Sequence, residues 1–141
     1  MNRLFFAVTF AAFFFAAFSV SEISAQQKQR ILLKWSKGEA GRAVAGKARG
    51  VIRGDGFIDF KFHINESRGV DIGLYSIPED SPVTFDIIDP KGNILYKNIG
   101  DFLDELTEPG TYTIRVYMIK EDSDVRRPEK ANVTVTVFMY V

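Results

Sequence analysis

Beyond its first 25 residues this chain places apolar side chains at every second position almost everywhere, and residues that favour turns break the pattern at short intervals. A period of two gives each segment one apolar and one polar face, which suits a strand lying on a core and not a helix. No stretch carries the three- and four-residue spacing of an amphipathic helix. The pattern is cleanest over 57–64, where Ile58, Phe60, Phe62 and Ile64 alternate with Asp59, Lys61 and His63. Further strands are expected at 31–35, 43–52, 70–75, 83–88, 94–97, 112–119 and 131–141. Turns are expected at Ser36-Lys37-Gly38, Gly54-Asp55-Gly56, Asp89-Pro90-Lys91-Gly92-Asn93 and Thr107-Glu108-Pro109-Gly110, with a proline-bounded loop at 76–82. Gly46 and Gly50 suggest a bulge or a close approach of neighbouring backbone. The sum is an all-β, antiparallel β-sandwich of eight or nine strands, jelly-roll-like, with no internal repeat.

The chain opens differently. Asn2-Arg3 supply a positive start, residues 4–20 are nearly all Phe, Ala, Leu and Val, and Ser24-Ala25 offers a small-residue cleavage site. Residues 1–25 read as a signal peptide, the apolar run being short for a spanning helix of roughly 20 residues. Residues 26–141 then form one domain. No cysteine follows the cut, so lipid attachment there is excluded, and the expectation is an exported protein, periplasmic or secreted, with no membrane anchor after cleavage. With no cysteine at all, stability rests on packing rather than disulfides.

Lys and Arg number 18 and so do Asp and Glu, and no basic block stands out, which argues against a nucleic-acid partner. Catalysis is poorly provided for. His63 is the only histidine and falls on the polar side of its strand, there is no cysteine, and no spacing among Asp59, Asp71, Asp86 and Glu105 singles out an acid–base pair. Glu121, Asp122 and Asp124 offer oxygen ligands of the kind Ca²⁺ takes but lack the remainder of a calcium-loop pattern, so the run reads as a solvated loop. A non-enzyme without metal or cofactor is expected.

What remains is the 120–130 segment, too long for an ordinary hairpin connection and carrying Arg126-Arg127-Pro128-Glu129. Its arginines suit bidentate hydrogen bonds to carboxylates. They equally suit ordinary surface pairing with Glu121, Asp122, Asp124 or Glu129, which contributes about 1 kcal/mol at most.

Three motifs carry a family likeness: Gly50-Val51-Ile52-Arg53-Gly54 before an aromatic strand, Asp89-Pro90-Lys91-Gly92-Asn93-Ile94-Leu95, and Gly110-Thr111-Tyr112-Thr113-Ile114-Arg115-Val116. In this order they resemble the bacterial pre-peptidase C-terminal-like β-sandwiches. The run Arg115-Val116-Tyr117-Met118 followed by Arg126-Arg127, Glu129-Lys130-Ala131-Asn132 is similar to the inhibitors of g-type lysozyme. That resemblance implies a binding protein whose loop occludes the carboxylate-lined cleft of a g-type lysozyme. Arg126 and Arg127 would contact the enzyme, Glu129 brace one guanidinium, Tyr117 support the loop base, and Lys120 stand at its entry. The chain departs from the pattern at Asp55, where a tyrosine is expected, at the acidic 121–124 stretch, and at Val133, where the family has tyrosine. The alternative is a pre-peptidase C-terminal-like adhesion or carbohydrate-binding module that grips envelope glycan through its exposed sheet, with Trp35, Tyr75 and Tyr96 as aromatic contacts.

Overall fold

The computed structural model describes residues 27–31, 34–38, 41–120 and 127–140. The expected signal peptide, the acidic run 121–124 and Arg126 lie outside the described residues, as does the side chain of Trp35. Ten strands are described: β1 (Gln27–Arg30), β2 (Lys34–Gly38), β3 (Gly41–Arg53), β4 (Phe57–Ile64), β5 (Arg68–Ile77), β6 (Val83–Ile88), β7 (Ile94–Ile99), β8 (Asp101–Leu106), β9 (Gly110–Met118) and β10 (Lys130–Tyr140). The first sheet runs β1-β4-β9-β6-β7 and the second β2-β3-β10-β5-β8. With β1 and β2 set aside as edge additions, the eight strands from β3 onward order as first-eighth-third-sixth and second-seventh-fourth-fifth, the jelly-roll arrangement. All pairings are antiparallel except β1 with β4.

Between the sheets the alternation resolves as expected. Ile58, Phe60, Phe62 and Ile64 of β4 are buried, with Tyr112, Ile114 and Val116 of β9 and Phe85 and Ile87 of β6. They face Val133, Val135 and Val137 of β10, Val70 and Ile72 of β5, and Phe102 and Leu106 of β8. Each such side chain contributes about 1.5–3 kcal/mol on burial. Phe62 stacks on Tyr112 at 5.7 Å between ring centroids, and the Tyr112 hydroxyl donates to the Glu108 carbonyl at 2.8 Å. Burial pushes the Tyr112 phenol up.

Local expectations hold at most turns. Gly56 N donates to Arg53 O at 2.9 Å, and Gly92 takes φ +90° in the 89–93 turn while Asp89 Oδ1 accepts from Lys91 N and Asn93 N. Those amides, Asn93 foremost, hold the Asp89 carboxyl below its usual range.

Four details differ. The expected 31–35 strand is met only at Lys34 and Trp35, which open β2 in the second sheet, whereas β1 before it joins the first sheet and Ile31 is buried. Ser36-Lys37-Gly38 belongs to β2, and the turn falls after Gly38, which pairs with Gly41. Strand β8 had no counterpart in the sequence reading, because Asp104 sits opposite Val70 between the buried Phe102 and Leu106 and masks the alternation. Gly50 makes no bulge, since β3 and β10 stay in register throughout. A Cβ on Gly50 would lie 2.3 Å from Ile58 Cδ1, so the glycine admits a side chain from the facing sheet.

Candidate functional site

Register brings the two ends of the family motifs together. Phe57, where β4 begins, pairs with Tyr117 near the end of β9, and Arg53, where β3 ends, pairs with Lys130 at the start of β10. The 54–56 turn and the base of the 120–130 loop therefore share one end of the sandwich. The loop 78–82 joins them there, Ser76 and Ile77 of the expected loop being part of β5, through Ile119 N, which donates to Pro82 O at 2.8 Å.

Asp55 is the hub of that end. Its Oδ1 accepts from Arg127 Nη2 at 2.7 Å and its Oδ2 lies 3.5 Å from Lys120 Nζ. The hydrogen bond from Arg127, then the charges of Lys120 and Arg127, hold the Asp55 carboxyl below its usual range. One carboxylate thus meets two cations, one at each side of the stretch 121–126, leaving the cluster net positive. Glu129 is exposed, and among the described residues the carboxylate that Arg127 meets is Asp55, not Glu129. Asp55 was legible as a turn residue and as a departure from a family pattern, not as a charge partner. Its pairing with Arg127 joins positions 72 apart in the chain and has no local signal.

Beneath this cluster lies a groove of about 490 Å³ bordered by Asp55, Phe57, Asn98, Arg115, Tyr117 and Lys120. The Tyr117 hydroxyl donates to Asp86 Oδ1 at 2.8 Å, and so does Asn98 N, also at 2.8 Å. Asn98 takes φ +56°, a left-handed conformation that asparagine tolerates, and its Oδ1 accepts from the Thr84 hydroxyl. Burial, then the Asp86 hydrogen bond and charge, push the Tyr117 phenol up to about 12.

Two residues back along β9, on the same side of the strand, Arg115 continues the network. Asp59, Arg115 and Asp86 are cross-strand neighbours in a single row. Arg115 Nε and Nη2 grip Asp59 at 2.8 and 3.0 Å, and its guanidinium lies 4.4 Å from the Phe57 ring centroid. The bond to Asp59 raises the Arg115 pKa. Asp59 and Asp86 are 4% and 6% exposed although both sit on the outer side of the sheet. Sequence reasoning named both carboxylates but could not join them, because the cation between them comes from another strand.

His63 is exposed, with Nδ1 3.1 Å from Thr111 Oγ1, as its place on the polar side predicts. The aromatic platform is not assembled by the described residues. Tyr75 is exposed on β5 of the second sheet, whereas Tyr96 lies on β7 of the first and packs edge-on against Phe102 at 4.8 Å.

No protein-family model and no curated protein matches the chain. Solved structures do. The periplasmic lysozyme inhibitor of g-type lysozyme (PliG) from Aeromonas hydrophila matches with a TM-score of 0.58 at 17% identity, over 82% of this chain and 100% of that one. A mutant of the Escherichia coli inhibitor matches at 0.50 and 16%, over 80% and 99%. The pre-peptidase C-terminal domain of a Bacillus anthracis collagenase matches at 0.52 and 16%, over 79% and 95%. The chain shares its fold with inhibitors of g-type lysozyme and with a pre-peptidase C-terminal domain, the two resemblances its motifs carry.

Proposed function

We propose that the chain is exported, with residues 1–25 removed, and acts without catalysis as an inhibitor that closes the cleft of a g-type lysozyme with its 120–130 loop. The observation that carries this reading is the gathering of Lys120 and Arg127 on Asp55, directly above the groove bordered by Tyr117 and Phe57. Carboxylates inside a lysozyme cleft would meet two cations, Lys120 and Arg127, already gathered on Asp55, so little of their side-chain freedom is lost on docking. Asp55 takes the bracing part that the resemblance gives to Glu129, and Tyr117, fixed by Asp86, supports the loop base. Arg126 is the second contact residue of the proposal, and Glu129 a solvent-facing rim residue.

The test is the residual activity of a g-type lysozyme on cell-wall substrate with rising amounts of residues 26–141, beside c-type and i-type enzymes. Stoichiometric loss of g-type activity is expected, and no loss against any of the three removes the reading. Arg126→Ala and Arg127→Ala together are expected to weaken the complex by about 2–4 kcal/mol, as truncation of buried anchors does. The competing aromatic glycan platform draws no support from Tyr75 and Tyr96, which belong to different sheets.

A further inference from the structure

A second groove, of about 540 Å³, lies on the outer side of the first sheet and reaches Arg115 from the opposite direction, so that the two grooves make one track along β9. Its floor is the outward series Thr111, Thr113, Arg115 and Tyr117, about 7 Å apart. The charges that border the track do not balance. Asp59 is held by Arg115, Asp55 by Arg127 and Lys120, Asp86 accepts from Tyr117 and the Asn98 amide beside Arg115, and Asp89 is spent on the amides of its own turn. Lys28, Lys61 and Lys97 have no carboxylate partner among the described residues. Lys61 Nζ donates once, to Thr113 Oγ1 at 2.9 Å, and an ammonium carries three N–H groups. Arg115 engages Asp59 through Nε and Nη2, which leaves Nη1 for another acceptor.

We propose that this track binds an extended carboxylate-bearing polysaccharide, with Lys28, Lys61 and Lys97 as its anion contacts and Arg115 at its centre. The ligand class follows from what the floor can offer. Strand β9 is paired on both sides, with β4 and with β6, so its backbone groups are already used and a peptide strand has no ladder to join. Recognition must come from side chains alone. Ammonium groups and threonine hydroxyls meet the carboxylates and hydroxyls of a sugar chain, while Ile88, Pro90 and Ile94 give the wall an apolar surface for the C–H faces of its rings. Lys28 and Lys61 lie along the sheet beyond Arg115, while Lys97 and Arg115 border the groove that also meets Lys120, so the track runs up to the base of the 120–130 loop. The proposal is independent of the inhibitor reading.

Fluorescence anisotropy of an end-labelled oligogalacturonate titrated with the full chain, expressed with its leader and purified from the exported fraction, tests it. The fully methyl-esterified oligomer, poly-glutamate and single-stranded DNA serve as comparators. Saturable binding of the acid form is expected, weakened by added salt, with no binding of the ester. Lys28→Gln, Lys61→Gln and Lys97→Gln combined are expected to weaken it about tenfold or more. The pair Lys28→Gln and Lys97→Gln, both exposed, should give part of that loss without touching the fold. Lysine-to-arginine changes at all three should keep binding. No binding, equal binding of acid and ester, tighter binding of poly-glutamate or DNA, or an unchanged affinity in the glutamine variants overturns the proposal. Oligogalacturonate binding without lysozyme inhibition would remove the inhibitor reading and leave this one standing.

Discussion

On the outer side of the first sheet, Asp59, Arg115 and Asp86 stand in one row, with both carboxylates nearly sealed from water. On the outer side of the second, the row Ala45, Phe138, Asp71 and Leu103 leaves Phe138 and Leu103 exposed. The same alternation wrote both faces. On the first, long polar side chains fold over one another: Arg115 covers Asp59 and Phe57, and Tyr117 covers Asp86. Burying a carboxylate is costly unless it is paired or well hydrogen-bonded: Asp59 is paired with Arg115, and Asp86 accepts from Tyr117 and from the Asn98 amide. On the second, residues such as Lys47 and Arg49 reach water one at a time. A face whose polar groups depend on one another is sensitive to single changes, and a face of independent groups is not.

Four changes on the first sheet and its loop end, with one matched control on the second, break or sharpen that contrast, the four running from the largest effect down. Phe60→Ala, beneath the Asp59–Arg115 row, removes a fully buried ring and is expected to cost about 3–5 kcal/mol in urea unfolding, setting the scale for the core itself. Arg115→Ala leaves Asp59 buried without its cation and should cost about 1–3 kcal/mol. The matched change on the other face, Lys47→Ala, is expected to stay within about 0.5 kcal/mol, and equal costs for the two would end the comparison.

Tyr117→Phe removes one of two donors to Asp86 Oδ1, at about 1 kcal/mol. It also carries a pH signature. Folding raises the Tyr117 phenol from its ordinary 10.0 to about 12, so its contribution is complete below pH 10.0 and is lost as pH rises through about 12. Thermal melts across that window should fall less steeply for Tyr117→Phe than for the parent chain.

The smallest effect on stability belongs to Asp55→Asn. The contribution of its lowered pKa is present above the ordinary value of 3.8 and is lost as pH falls through the lower folded value, but the group is fully solvated. The melting temperature at neutral pH should not move measurably. Inhibition of g-type lysozyme should change, because the two cations lose their common anchor, and an unchanged inhibition curve would separate Asp55 from the working surface.

Much of the architecture was legible because local rules suffice for it. The strands β4 and β6 fall where alternation put them, Asp89 and Gly92 make their turn from their own backbone preferences, and His63 faces solvent. Misreadings came where burial depends on position in the sheet. Strand β8 lies at an edge, where Asp104 reaches water from the inward side of the strand, so its apolar period is broken in sequence though not in space. The change of sheet between β1 and β2 was hidden for a related reason: a short apolar run carries no signal of which sheet its neighbours join.

By itself the sequence determined that this chain makes a β-sandwich, which residues line its core, and that Arg127 and Lys120 belong to one charged loop. Those properties follow from periodicity and turn chemistry, which act over a few residues. Only the tertiary structure decided which charges meet. Asp55 with Arg127, Asp59 with Arg115, and Asp86 with Tyr117 join positions 72, 56 and 31 apart. Electrostatic and hydrogen-bond partners are set by distances of a few ångströms, and in an antiparallel sandwich those distances are fixed by register between strands remote in sequence.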